Sequence, residues 1–186
     1  ARPMRAWVMG VNSLLPADVA VQWARDVGPD FHARFSARYR RYRYLVLTRA
    51  QRSALAAGSA CLERRPLDAP RMHEAAQCLL GERDFSAFRG AGCQSRTPMR
   101  RLERVAVSRA GDLLTIEVEA NAFLLHMVRN IAGSLLAVGT GERSAQWLAE
   151  VMASRDRTLA AATAPARGLY LVDVGYDGCW GLPGPR

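Results

Sequence analysis

The chain has 186 residues, of which 49% are hydrophobic and 23% are charged, a composition typical of a globular domain with a substantial core and not of a disordered chain. Its formal net charge is +9, and all 26 basic residues are arginine. The excess of cations favours a polyanionic partner, because contacts to phosphates release counterions. The alternative is a structural or interaction domain whose charge reflects composition alone.

The four cysteines and three histidines are not arranged as metal ligands. No two cysteines form a C-x-x-C pair, and no histidine flanks a cysteine at zinc-ligand spacing, so we expect no metal. Free cysteines are typical of a reducing compartment, which favours a cytoplasmic location.

Hydrophobic periodicity and turn residues predict a mixed set of helices and strands. In chain order, they are a helix over Met4–Leu15, strands over Val19–Val27 and Tyr42–Val46, a helix over Asp68–Leu80, strands over Leu102–Ser108 and Leu113–Glu119, helices over Ala122–Val138 and Ser144–Ala153, and a strand over Gly168–Tyr176. Asp68 and Ser144 are expected to cap their helices, and Gly81 to end the first of the two.

From Tyr42 onward, the predicted order β-α-β-β-α-α-β is that of a ferredoxin-like split βαβ unit with one additional helix. This α+β fold has an antiparallel-rich sheet covered by helices. We expect the domain to span residues 37–177. Residues 1–36 precede this domain, and residues 178–186 are expected to form a loose tail. The topology by itself does not identify a function.

A first group of candidate residues interleaves arginines with tyrosines. The arginines are Arg34, Arg38, Arg40, Arg41 and Arg43, and the tyrosines are Tyr39, Tyr42 and Tyr44. Rings that stack on bases beside arginines that bind phosphates are typical of single-stranded RNA contacts. A charged strand edge that prevents aggregation is an equally good interpretation.

A second group lies in the loop between the helix that ends near Gly81 and the next predicted strand. Its arginines include Arg89, Arg96 and Arg100, which alternate with small polar residues. The loop is either an ordinary solvated connection or a rim that grips the backbone of an RNA stem.

The helix predicted over Ala122–Val138 is apolar on nearly all sides, so we expect it to be buried. It is short for a membrane span and carries Arg129 near its middle, so no membrane association is expected. A buried cation requires an anionic partner. That partner is a structural carboxylate, Asp173 or Glu117, or else a catalytic carboxylate or a substrate phosphate.

Several segments together resemble the TruA family of tRNA pseudouridine synthases over nearly the whole chain. They are FHARFSA, RRYRY, AAQCLLGERDFSAFR, QSRTP, NAFLLHMVRNIAGSLL and DRTLAAATAPARGLYLV, in this order. The resemblance implies isomerisation of uridine to pseudouridine at positions 38, 39 and 40 of the tRNA anticodon arm, by a homodimer that uses no cofactor or metal. It also implies that the target nucleotide leaves the helical stack.

The resemblance further implies roles for three residues. Tyr42 is similar to the tyrosine that stacks on the base, Arg129 to the basic partner of the catalytic aspartate, and Leu169 to the apolar residue beneath the tyrosine. The catalytic aspartate of the family lies in a GRTDAGVH-type segment upstream of the region that matches this chain. The chain contains no such segment. The resemblance therefore implies that residues 1–36 continue from a missing N-terminal half. We expect the chain alone to be inactive, and a non-catalytic basic RNA-binding domain is the alternative.

Overall fold

The computed structural model describes residues 2–184, and the chain divides into two compact units. The first consists of the residues up to Ala37 together with those from Tyr176 onward, and the second spans Arg38–Gly175. In the first unit, a 3₁₀ turn over Gly178–Trp180 follows the last strand, and the Trp180 ring packs edge-on against Phe31 at 5.2 Å between centroids. The predicted boundaries at residues 36 and 177 stay predictions.

Helices and strands alternate irregularly along residues 2–184. In chain order, they are α1 (Met4–Asn12), β1 (Ala37–Thr48), β2 (Cys61–Glu63), α2 (Ala69–Ala76), β3 (Gly81–Asp84), β4 (Met99–Ala110), β5 (Leu113–Ala120), α3 (Met127–Gly139), α4 (Ala145–Ser154) and β6 (Leu169–Tyr176). Single 3₁₀ turns lie at Gln77–Leu79, Ser86–Phe88 and Arg157–Leu159. No helix among the described residues is both long and apolar enough to span a membrane.

The strands form one sheet in the order β2-β1-β5-β4-β3, and β6 also pairs with β1. Both β1 and β4 run antiparallel to β5, which lies between them. These two strands are therefore parallel to each other and are connected through α2, which is the split βαβ arrangement. The predicted α+β fold with its antiparallel-rich sheet is confirmed.

The core forms between one face of the sheet and the helices. Alternate residues of β5 are fully buried, as expected for a strand with one face against the core. The buried partners on α3 are Met127, Ile131, Leu135 and Val138. Side-chain oxygens of Asp68 and Ser144 accept backbone hydrogen bonds at the starts of α2 and α4, so both predicted caps are confirmed.

The strand predicted over Val19–Val27 is wrong. Residues 18–28 have no regular secondary structure, and no strand in the described part of the chain pairs with them. The amide side chain of Asn12 instead bonds both backbone groups of Val21, at 2.8 Å and 2.7 Å. Alternating apolar residues do not form a strand when the backbone finds its hydrogen bonds elsewhere.

The helix predicted from Ala122 begins five residues later, at Met127. His126 adopts a left-handed backbone conformation with φ 58°, which a continuous helix does not tolerate. The side-chain oxygen of Asn121 accepts hydrogen bonds from the backbone N–H groups of Arg101 and Ala122, which fixes the preceding residues as a loop. Arg129 therefore lies in the first turn of α3 and not in its middle.

Candidate active site

Arg129 is half-buried, whereas its neighbours Val128 and Asn130 in the first turn of α3 are buried. Its Nε donates a 2.7 Å hydrogen bond to the carbonyl oxygen of Ala164, and the N–H of Ala164 donates to the carbonyl of Arg129 at 3.2 Å. The guanidinium is thus held on one side by backbone. Its two terminal nitrogens make no hydrogen bond or ion pair within residues 2–184.

The predicted structural ion pair of Arg129 with Asp173 or Glu117 is wrong. Asp173 accepts a 2.8 Å hydrogen bond from the Tyr39 hydroxyl. Glu117 pairs with Arg43 at 2.9 Å and lies 3.4 Å from the guanidinium of Arg104. Both carboxylates are therefore engaged by other residues. A half-buried arginine is less costly to leave without an acid than a fully buried one, which explains why the pair is not required.

Tyr42 is half-buried on β1, opposite Val118 of β5. Its ring meets the Phe123 ring edge-on, with centroids 5.0 Å apart and planes at 85°. Tyr44, two residues along the same strand face, is fully buried, and its hydroxyl donates to the Pro165 carbonyl at 2.8 Å. Burial raises the pKa of the Tyr44 phenol. Tyr44 is thus a core residue, whereas Tyr42 is only partly buried.

Leu169 begins β6 and packs, half-buried, against the core. The preceding carbonyl, of Gly168, accepts a 2.8 Å hydrogen bond from the N–H of Leu45. Gly168 has φ +99°, and a Cβ there would lie 2.6 Å from the Leu45 carbonyl oxygen. Only glycine fits at this position, so β1 and β6 meet closely beside Leu169.

The segment 164–168 is bonded to α3 and β1 and leads into β6. Its backbone bonds Arg129 on α3 through Ala164, Tyr44 on β1 through Pro165, and Leu45 on β1 through Gly168. Tyr42, Arg129 and Leu169 therefore lie on three elements that converge on one short stretch of chain. Aromatic, cationic and apolar side chains at such a junction suit a flat base with an anion beside it.

The arginines predicted on β1 are divided between the two faces of the sheet. Arg41 and Arg43 alternate with Tyr42, so they lie on the opposite face. They form ion pairs with Glu119 and Glu117 at 2.7 Å and 2.9 Å. The pairing with Glu119 raises the pKa of Arg41.

Arg40 shares the Tyr42 face, and its Nη1 donates to the Asn121 carbonyl at 2.8 Å. Arg34 belongs to the first compact unit. It is exposed, and its guanidinium carbon lies 5.7 Å from the Phe35 ring centroid.

Two of the three predicted loop arginines shape the loop itself. Arg100 is only 9% exposed and donates to the Thr97 carbonyl and the Ser95 hydroxyl, and burial lowers its pKa. Arg89 bonds the carbonyls of Cys93 and Ser95 at 2.7 Å and 2.8 Å. Arg96 is exposed and has no hydrogen bond or ion pair to other described residues.

An arginine-lined cleft of about 570 Å³ adjoins this loop. Arg89, Arg155 and Arg157 line it together with Ser86, residues 90–92 and the acidic Asp156. Cys93 also lines it. Burial alone would raise the pKa of the Cys93 thiol, but hydrogen bonds from Leu125 N–H and Ser95, with the charge of Arg89, lower it. Among residues 2–184, no group of three or more His, Cys, Asp or Glu side chains could hold a metal ion.

Sequence reasoning did not identify Asn130, Arg157 and Thr163 as functional candidates. Asn130 is fully buried beside Arg129, and its side-chain oxygen accepts from Thr163 Oγ1 at 2.7 Å and from Arg157 Nη2 at 3.2 Å. A buried amide in an apolar helix must find partners, which was the available signal. Asp156 caps the following 3₁₀ turn by accepting a hydrogen bond from the Thr158 N–H at 2.8 Å.

Comparison with known proteins finds consistent matches. The family model described as tRNA pseudouridine synthase matches residues 75–177. The chain is 53% identical to tRNA pseudouridine synthase A of Cronobacter sakazakii and 53% identical to that of Salmonella arizonae, each over 97% of this chain and 67% of the relative. The corresponding protein of Salmonella newport is 54% identical with the same coverage. The chain thus spans about two thirds of the length of these curated relatives.

Proposed function

The chain belongs to the tRNA pseudouridine synthase family, and on this premise we propose that, joined to an upstream segment like that of its longer relatives, it acts at positions 38, 39 and 40 of the tRNA anticodon arm, and that alone it is inactive. The family isomerises uridine in tRNA. In the proposed reaction, the glycosidic bond of the target uridine breaks, the uracil turns in the pocket, and carbon 5 of the base rejoins the ribose. The atoms of the product are those of the substrate, so no second reactant is consumed.

The observation that carries the proposal is the hydrogen bonding of the Arg129 guanidinium. Its Nε is bound to the Ala164 carbonyl, and its terminal nitrogens lack an acidic partner within the described chain. A planar guanidinium held at one nitrogen is well prepared to bind a carboxylate with the others, and such charge-assisted bonds are strong. We assign it to the catalytic aspartate, which the resemblance places upstream of this region.

Tyr42 and Leu169 complete the proposed base pocket. The exposed part of the Tyr42 ring stacks on the uracil, and Phe123 holds that ring edge-on from the side. Leu169, fixed beside β1 by the close approach at Gly168, packs beneath the tyrosine. The target nucleotide must leave the stack to enter, at a cost that contacts to the rest of the tRNA offset.

Contacts to the tRNA backbone are proposed for arginines that the fold leaves available. Arg96 is the strongest candidate, since it is exposed and unpaired in the described chain, and Arg155 and Arg89 offer positive charge in the arginine-lined cleft. Arg41 and Arg43 are less suited, because glutamates neutralise them on the opposite sheet face. We further propose a cytoplasmic homodimer, on the resemblance to the family.

The proposal is tested by mapping pseudouridine with a carbodiimide probe and primer extension on a tRNA with uridines at positions 38–40. The chain is assayed alone and as a hybrid, in which it follows the upstream segment of the Cronobacter sakazakii relative. We expect modification at these positions by the hybrid and none by the chain alone. Robust modification by the chain alone would overturn the assignment of the carboxylate to the upstream segment.

A hybrid that binds tRNA in a salt-dependent way without modifying it would favour the non-catalytic RNA-binding domain instead. Modification confined to other tRNA positions would contradict the proposed site specificity. A catalytically dead hybrid with an aspartate-to-asparagine change in the upstream segment is the control for contaminating synthase.

A further inference from the structure

A buried network of hydrogen-bonded polar side chains is centred on Asn130, the residue next to Arg129. Asn130, the next residue of α3, is fully buried, and its Nδ2 donates to the Phe88 carbonyl at 2.7 Å. Its Oδ1 accepts from the Thr163 hydroxyl at 2.7 Å and from Arg157 Nη2 at 3.2 Å. Arg157 Nη2 also lies 3.0 Å from Thr163 Oγ1. The oxygen and the nitrogen of the buried Asn130 amide group are thus both engaged, as a buried amide requires.

Arg157 also holds the backbone that leads to Ala164. Its Nη1 donates to the Ala161 carbonyl at 3.0 Å, so one guanidinium bonds the segment 161–163 at both backbone and side chain. The same segment lies against α3 so closely that a Cβ at Gly133 would be 2.1 Å from the Ala162 carbonyl oxygen. The Ala161 N–H is 3.4 Å from the Ser134 hydroxyl.

These contacts of Arg157 and α3 with residues 161–163 determine where the Ala164 carbonyl lies. Ala164 follows Thr163 directly, is buried, and accepts the Nε hydrogen bond of Arg129 at 2.7 Å. A carbonyl whose chain is fixed by Arg157, Thr163 and α3 has little freedom to move. The Nε bond therefore transmits the position of the segment to the guanidinium of Arg129.

We propose that Arg157 is a positioning residue: through Asn130 and Thr163 it fixes the Ala164 carbonyl, which orients Arg129 and leaves its two terminal nitrogens available to the catalytic carboxylate. The inference rests on the proposed function for the identity of that carboxylate. The orientation of Arg129 itself rests on the hydrogen bonds alone. Arg157 is also part of the arginine-lined cleft, so the rival role for Arg157 is a direct contact to an RNA phosphate.

The rival role is weaker because the Arg157 nitrogens are already used. Nη1 faces the carbonyls of Ala160 and Ala161, and Nη2 faces Asn130 and Thr163. Arg155, by contrast, is 69% exposed at the side chain and makes one long contact of 3.4 Å to Asp84. Arg155 is the cleft arginine suited to phosphate, and it serves as the matched control.

The test uses the chain itself, labelled with nitrogen-15 arginine, and measures exchange of the Arg129 Nε proton with water by NMR. The resonance is assigned by its loss in Arg129→Lys. Thr163→Val removes the hydroxyl and keeps the shape of the side chain, whereas Thr163→Ser keeps the hydroxyl. Arg157→Lys keeps the positive charge and removes the branched guanidinium. Arg155→Lys is the control.

We expect exchange to accelerate about fivefold to tenfold in Thr163→Val and Arg157→Lys, the factor for weakening one ordinary hydrogen bond. Exchange in Thr163→Ser and Arg155→Lys should match the unmodified chain. Unchanged exchange in Thr163→Val would overturn the proposal, and this variant decides the question if Arg157→Lys does not fold. The arginine backbone amide resonances report in each case whether the fold is retained.

Activity of the hybrid gives a second readout that a structural role would not produce. Arg157→Lys should lower kcat about tenfold with an unchanged KM for tRNA, since the orientation of Arg129 matters in the transition state. A raised KM with an unchanged kcat would instead assign Arg157 to RNA binding. If the unmodified hybrid makes no pseudouridine, the proposed function fails, while the exchange measurement still decides the positioning role.

Discussion

Arg129 and Ala164 bond each other in both directions. The Nε of Arg129 lies 2.7 Å from the Ala164 carbonyl oxygen, and the Ala164 N–H lies 3.2 Å from the Arg129 carbonyl oxygen. The residues are 35 positions apart, so the paired bonds join α3 to the segment that leads into β6. The cation is thereby fixed where the strand carrying Leu169 begins, and its remaining nitrogens are available for an acid.

Tyr42 should be required for turnover because its ring forms the proposed stacking surface. In the hybrid, we expect Tyr42→Leu to lower kcat/KM about 100-fold, a loss in the upper part of the roughly 1–3 kcal/mol that one base–aromatic stack contributes. Tyr42→Phe retains the ring and should keep activity within about fivefold. Single-turnover rates measure both variants. Normal turnover by Tyr42→Leu would count against base stacking.

Gly168 should tolerate no side chain. A Cβ there would lie 2.6 Å from the Leu45 carbonyl oxygen, and the φ of +99° strains any other residue. We expect Gly168→Ala to lower the free energy of unfolding by about 2 kcal/mol or more. Urea denaturation of the chain measures the change. Gly58→Ala, where nothing lies within 4 Å of an added Cβ, is the control and should be nearly neutral.

Arg96 should contribute to tRNA affinity through charge alone. We expect Arg96→Ala to reduce the slope of log K against log salt by about 0.7–0.9, as for one lost phosphate contact. Filter binding at several salt concentrations gives the slope. Arg43→Ala is the matched control, since Arg43 is paired with Glu117 on the sheet face opposite Tyr42. The salt slope of Arg43→Ala should equal that of the unmodified chain. Equal slopes for Arg96→Ala and the unmodified chain would remove Arg96 from the interface.

Glu63 should make the free energy of unfolding depend on pH in the acid range. Arg65 bonds both carboxylate oxygens at 2.9 Å, and this hydrogen bonding lowers the pKa of Glu63 below its ordinary value of 4.5. Because the pKa of Glu63 is lower in the folded state, its ion pair stabilises the fold at pH values above the ordinary pKa. This stabilisation is lost as the pH falls through the pKa of the folded state.

Thermal melts of the chain at about pH 7 and at about pH 3 measure this effect. Glu63→Gln should be less stable at neutral pH by about 0.5–1 kcal/mol and should lose less on acidification than the unmodified chain. Glu150→Gln removes an exposed carboxylate that has no ion pair within residues 2–184 and should follow the unmodified chain. Parallel pH profiles for all three proteins would refute the assignment.

The parts of the fold with strong local signals were predictable from the sequence. Alternation of apolar residues located β1, β4, β5 and β6, and polar caps located the starts of α2 and α4. These signals suffice for the split βαβ order because each acts within a few residues of chain. The short strands β2 and β3 were missed, since three or four residues carry no recognisable period.

The site was predictable in its residue types and not in its geometry. An arginine in an apolar helix signals a partner, but the partner is a carbonyl 35 residues away, which no local pattern encodes. Because His126 is left-handed, the helix begins five residues later than predicted, which puts Arg129 in its first turn. Arg100 has the sequence context of a surface cation, yet it is 9% exposed because loop carbonyls surround it.

The most direct measurement is the single-turnover rate of pseudouridine formation at tRNA positions 38–40 by the hybrid and by its Arg129→Leu variant. We predict modification by the hybrid and a loss of at least about 1,000-fold in the variant, because the carboxylate would lose its charged partner in the active site. Arg129→Leu should still bind tRNA. An unchanged rate in the variant would contradict the central claim that Arg129 completes the active site.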